Sequence, residues 1–150
     1  MDTWGHFGND ADLYNMWGPR AIAVGPEGNV YVADTGNKRI LVFDANGIAL
    51  RQIGSGGVLE GELDEPVGIA VGSNGEVYVA DTWNQRVQVF SGDGVYLRHW
   101  EVLAWFGQSL DNKPYLDVDG HDRVYVSDPE GYRIYAWDGM GEALFAWGYY

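Results

Sequence analysis

The stretch PRAIAVGPEGNVYVADTGNKRILVFDANG, residues 19–47, returns as PVGIAVGSNGEVYVADTWNQRVQVFSGDG at residues 66–94. A third version, LDVDGHDRVYVSDPEGYRIYAWDGMG, occupies residues 116–141 in the same register. A displacement of 47 residues takes Val30 to Val77 and then to Val124, and Asp34 to Asp81 and then to Asp128. Only the opening proline slips, since Lys113 stands where Pro19 and Pro66 stand and Pro114 follows it. A period of about 40 to 50 residues built of short apolar runs points to a β-propeller, in which each repeat is one blade.

Each unit reads as four strands separated by glycine-bearing turns, and in the first unit these strands are expected over 21–25, 29–34, 39–44 and 49–54. Val30 and Val32 alternate with Tyr31 and Ala33, and Ile40 and Val42 alternate with Leu41 and Phe43, so both faces of the sheet are apolar. Two apolar faces need two covering neighbours, which a blade packed between blades receives. Glu27-Gly28, Asn74-Gly75, Asn46-Gly47 and Asp93-Gly94 place turn residues between the runs. The chain divides into an N-terminal arm and lead-in loop (1–18) and three blades, 19–65, 66–112 and 113–150. The fold class is all-β, a propeller of four-stranded antiparallel blades.

The pattern P-x-x-I-A-V, followed by G-x-V-Y-V-A-D-T-x-N-x-R-I/V-x-V-F, resembles the NHL repeat, and the resemblance runs from Pro19 to Gly148. It implies a six-bladed propeller of a kind that binds proteins or RNA; similar six-bladed folds also house lyases and lactonases. Three blades are half of that ring. A half ring leaves an apolar sheet face bare at each tip, beyond the few hundred Å² that a soluble monomer exposes, and a two-fold partner covers both tips at once. A homodimeric six-bladed ring is the expectation. The C-terminal ALFAWGYY supplies an outer strand for the third blade, yet Thr3–Gly8 also resembles an outer strand. That arm is expected to swap into the partner's blade, to add at an edge, or to hang loose.

Nine basic against 22 acidic side chains give a net charge of −13, which disfavours nucleic acid and anionic membranes as partners. With 46% hydrophobic and 15% aromatic residues the chain has the apolar area to fold. The absence of cysteine excludes disulfides, thiolate metal sites and cysteine nucleophiles. No apolar run approaches the roughly 20 residues of a membrane helix, and MDTWGHFG lacks a basic-then-apolar leader. The chain is expected to be soluble, with its compartment open.

A residue present at the same place in all three units is expected to hold the blade together. Asp34, Asp81 and Asp128 each precede Arg39, Arg86 and Arg133 by five residues, reading as turn-fixing pairs rather than a site. Asn37 and Asn84 are expected to assist, and Gly131 has no side chain with which to do so. Tyr31, Tyr78 and Tyr125 read as packing.

Departures from the repeat are the candidate functional positions. DVDGHD, residues 117–122, resembles an acidic calcium loop but occupies the turn between the first and second strands. Asp117, Asp119 and Asp122 are therefore only weak metal candidates, and no cofactor is assigned. Asp117 replaces an alanine on the innermost strand and is the candidate for the central channel. His6, His99 and His121 do not form a metal-ligand spacing, and no nucleophile elbow, phosphate loop or paired catalytic carboxylate occurs.

Strand order brings the loops between blades and the turns between second and third strands to one rim, and these are aromatic. Tyr14, Trp17, Trp83, Trp105, Phe106, Tyr115 and Tyr132 lie there. Of these, Trp17, Trp83, Trp105, Tyr115 and Tyr132 are the ligand-face candidates. With Asp12, Asp64 and Asp111 nearby they suit a cationic or Pro-rich peptide, or a sugar; the competing reading is that the rings plug gaps between blades. The favoured function is a non-enzymatic scaffold that pairs with itself and binds a peptide, protein or carbohydrate on this rim. The alternatives are a metal-dependent lyase or hydrolase centred in the channel, and a minimal ancestral or engineered propeller unit whose only property is assembly.

Overall fold

A computed structural model describes residues 3–107 and 112–148. The arm contributes β1 (His6–Phe7) and β2 (Asn15–Met16), a parallel pair. Blade one is β3 (Ala21–Val24), β4 (Val30–Asp34), β5 (Arg39–Phe43) and β6 (Ala49–Ile53). The link to the next blade holds a second parallel pair, β7 (Ser55–Gly56) and β8 (Glu62–Leu63). Blade two is β9 (Pro66–Val71), β10 (Val77–Asp81), β11 (Arg86–Phe90) and β12 (Tyr96–Glu101). Blade three is β13 (Leu116–Val118), β14 (Val124–Asp128), β15 (Arg133–Trp137) and β16 (Ala143–Trp147). All three are antiparallel four-stranded sheets in sequence order, and among the described residues helix is limited to the short 3-10 turns Thr35–Asn37 and Leu103–Trp105.

The register repeats as closely as the sequence does. In each blade the third and fourth strands slip by a bulge at one place, at Phe43, Phe90 and Trp137. That slip twists the outer strand away from the sheet's edge. The residue before each paired arginine, Lys38, Gln85 or Tyr132, takes a left-handed φ of 54°. The tight turn needs it, and none of the three is glycine.

Alternation sends one set of side chains forward and one set to the rear of each blade. Ala33, Ile40, Val42 and Ile53 on the rear of blade one meet Ile69, Val77, Val79 and Phe90 on the front of blade two. Tyr78, Ala80, Val87 and Val89 on the rear of blade two meet Leu116, Val124 and Val126 of blade three. Tyr31 and Tyr78 lie inside these two cores, as packing residues should. The front of blade one is partly roofed by the arm, with Leu13, Tyr14 and Met16 over Val32, Leu41 and Phe43.

In blades one and two a buried aspartate ties the blade to the loop that precedes it. Asp81 accepts the Arg86 Nε–H at 2.7 Å, the Asn84 amide at 2.9 Å and the Asp64 N–H at 2.6 Å. Asp34 does the same with Arg39 at 2.9 Å, Asn37 at 2.8 Å and the Trp17 N–H at 2.7 Å. The arginines continue outward: Arg39 donates to the carbonyls of Asp12 and Asn15, and Arg86 to those of Leu59 and Glu62. These carbonyl pairs are 47 residues apart, so the arm from Gly8 to Trp17 sits on blade one as the link 55–64 sits on blade two. In blade three the Gly131 N–H donates to Asp128 at 2.8 Å, so the backbone supplies a donor where no side chain exists. A Cβ at Gly131 would collide with that carboxylate.

The rim opposite the aromatic loops carries a second tie between blades two and three. Arg98 grips Glu76, Tyr78 Oη–H donates to the same carboxylate at 3.1 Å, and Arg98 Nε–H donates to the Gly139 carbonyl at 2.8 Å. Beside it, Asp122 of blade three accepts the Ser73 N–H at 2.7 Å and the Ser73 hydroxyl at 2.9 Å.

Asp81→Ala strands the Arg86 guanidinium in the interior, an expected loss of about 3–5 kcal/mol in urea unfolding. Asp93→Ala at an exposed turn stays within about 0.5 kcal/mol. Equal losses would mean the clamp is not structural. The Arg98 guanidinium holds the Glu76 carboxyl below its ordinary 4.5. The folded chain therefore binds fewer protons there than the unfolded chain. This contribution is full above pH 4.5 and fades as pH falls through the lower folded value. Glu76→Gln should lower Tm at pH 7 and converge with the wild type on acidification; parallel curves would deny the ion pair that role.

Candidate functional site

The rim bearing the links between blades and the turns after β4, β10 and β14 carries the exposed aromatic residues. Trp17, Trp83, Tyr115 and Tyr132 are all exposed. Trp105 is not. At 1% exposure it lies in the core between blades two and three, its Nε1–H donating to the Ser127 carbonyl at 2.9 Å. It is a plug rather than a contact residue, because the 3-10 turn Leu103–Trp105 swings the indole inward over Val87 and Val126.

Trp83 is exposed but already has a cation. Lys113 Nζ stands 5.3 Å from its ring centroid and also donates to Glu65 at 2.6 Å, with the lysine side chain buried. The residue that breaks the opening proline of the repeat thus fills the place a cationic ligand was expected to take. Trp83, Lys113, Trp105 and Gly107 wall a cavity of about 230 Å³. The acids nearby are also engaged: Asp64 pairs with Lys38 at 2.8 Å, and Asp12 accepts the Tyr14 N–H at 2.8 Å. Asp111 lies outside the described residues. Tyr14 turns its ring toward Phe43 and its hydroxyl accepts the Ala49 N–H at 3.1 Å, so it is part of the roof over blade one.

Asp117, the channel candidate, stands where Ala70 stands in blade two, on the rear of its sheet, exposed, and accepts the following Val118 N–H at 2.9 Å. Asp119 is a turn cap: it accepts the His121 N–H and the Arg123 guanidinium, which holds its carboxyl well below the usual range. Asp122 is stitched to Ser73. Both acids spend their oxygens within the fold, and among the described residues no group of three or more His, Asp or Glu side chains converges to hold a metal. His6, His99 and His121 sit on β1, on β12 and in a turn, and His99 Nδ1 meets the Tyr96 hydroxyl at 2.7 Å.

The NHL repeat model matches residues 16–43 and 63–90, the end of the arm and of the link between blades one and two together with the first three strands of each of these blades. No curated protein matches the chain. Among solved structures, a hydrazine synthase of Kuenenia stuttgartiensis is 16% identical with a TM-score of 0.68, over 95% of this chain and 39% of that one. A catalytically inactive virginiamycin B lyase of Staphylococcus aureus, solved with quinupristin, is 16% identical with a TM-score of 0.64, over 90% and 41%. Apo AztD of Citrobacter koseri gives 16% and 0.62, over 84% and 33%. The chain spans well under half the length of each, and at such identities the likeness shows a shared propeller architecture alone. Among the described residues no helix is long and apolar enough to cross a membrane.

Trp83→Leu, tested without any ligand, should lower stability by about 0.5–1 kcal/mol through loss of the Lys113 contact. An unchanged urea midpoint would mean that the ring is free for a partner.

Proposed function

We infer that this chain of NHL repeats is a non-enzymatic interaction module. Two copies join end to end into one six-bladed ring, whose aromatic rim then receives a peptide, protein or sugar. The observation that carries this is the contrast between inner and outer blade faces. Ile69 on the front of blade two is 5% exposed, whereas its counterpart Ile22 on blade one is 70% exposed and Val24 beside it 63%. On the rear, Ile53 of blade one is 1% exposed, and its counterpart Trp147 of blade three is 47% exposed, with Phe145 alongside.

Shape supports the same reading. Ile22, Pro19, Val32, Trp4 and Met16 line an apolar hollow of about 430 Å³ on the front of blade one. Ile134, Tyr132 and Trp147 line another of about 290 Å³ on the rear of blade three. The internal junctions show how a front and a rear face of this sequence mate, so a second copy needs no new kind of contact.

Light scattering behind size exclusion tests this. The expected mass is twice 16.6 kDa, and Ile22→Asp, which puts a carboxylate into the joint, should yield 16.6 kDa with the strand signal in circular dichroism unchanged. Because each chain carries −13, added salt should tighten the pair by screening repulsion. A stable wild-type monomer, or an open ladder of sizes, would overturn the closed ring.

A further inference from the structure

The two internal junctions differ on the rim away from the aromatic loops. Between blades two and three, the Glu76 carboxylate is held by Arg98 and by Tyr78 Oη, while Asp122 fills the adjoining space. Between blades one and two, the receiving groups return at the same repeat positions. Arg51 matches Arg98 and Tyr31 matches Tyr78; Arg51 reaches the Gly92 carbonyl through Nη1–H at 2.9 Å, where Arg98 reaches Gly139 through Nε–H at 2.8 Å. The groups received are gone. Asn29 replaces Glu76, Gly75 replaces Asp122 and Pro26 replaces Ser73, and a cavity of about 200 Å³ lies among them, lined by Arg51 and Tyr31.

We propose that this cavity is a binding site for a small monocarboxylate, which takes the position that the Glu76 carboxylate occupies one junction further on. Arg98 holds its carboxylate through both terminal nitrogens, and the Arg51 guanidinium has the donors to receive an acetate-sized carboxylate in the same way. Burial pushes the Tyr31 phenol up from its usual range, so its proton stays on at neutral pH. Asp93 does not fill the place: its carboxylate is 4.0 Å from Arg51 and almost fully exposed. Glu27 and Asp93 at the mouth disfavour dianions and trianions, which sets the preference for a single negative charge.

Acetate is the probe, titrated against sodium chloride at constant ionic strength and followed by the Arg51 Nε–H and Gly92 amide signals in ¹H–¹⁵N spectra. Both should move saturably with acetate and not with chloride. Asn29→Glu, which restores the built-in carboxylate, should abolish the response and raise Tm. Glu76→Asn should make the Arg98 Nε–H acetate-sensitive as a second site. In thermal melts acetate should raise the wild-type Tm above the chloride control, and Arg51→Gln should lose that increment while still folding. A response equal for chloride and acetate, one that survives Asn29→Glu, or none in the wild type would overturn the site.

Discussion

Each blade in this chain carries apolar side chains on both faces of its sheet, and that constraint organises everything else. An isolated four-stranded sheet with Tyr31, Ala33, Ile40 and Val42 on one face and Val32, Leu41 and Phe43 on the other has no solvent face to present. It is stable only as a member of a stack. The burial of Ile40, Val42, Val77 and Val79 between blades one and two is that requirement met, and the bare Ile22 and Trp147 are the same requirement unmet at the ends.

Stacking alone does not fix the angle between blades, and the buried aspartates do. Asp34 and Asp81 each collect donors from their own turn and from the link that arrives from the preceding blade. A carboxylate taken out of water persists only when its lone pairs are filled, so the link must return to one position each time. Gln88 extends the network in blade two, receiving the Gly61 N–H and donating to Asp81. Blade one has Leu41 at that repeat position, with Leu13, Tyr14 and Met16 in its cluster. The arm thus contacts blade one as the link 55–64 contacts blade two.

What could be read in the sequence follows from periodicity. The four strands of blade one fall within a residue of their expected limits, because alternation and glycine turns are local signals. The Asp–Arg spacing identified the clamp for the same reason. The rim was read less well, since the direction of a ring depends on the path of its loop. Trp105 and Phe106 are adjacent in sequence, yet one is a core residue and the other lies in water. Lys113 was visible as a break in the proline pattern, but its seat over Trp83 comes from packing at long range.

The internal repeat supplies a comparison that one sequence otherwise lacks, because two junctions of one design sit in the same molecule under the same conditions. Positions that agree across them, such as Tyr31 with Tyr78 and Arg51 with Arg98, are what the joint needs. Positions that differ together carry more. Glu76 without Asn29's change, or Asp122 without that of Gly75, would leave either a crowded acid or an empty notch. The replacements at Asn29, Gly75 and Pro26 all remove a group that the neighbouring junction uses, while the arginine and the tyrosine remain. The guanidinium kept at a joint from which its internal anion has been withdrawn is held by the Gly92 carbonyl, with the exposed Asp93 carboxylate 4.0 Å away. It also lines a polar hollow, which water or an external anion can fill.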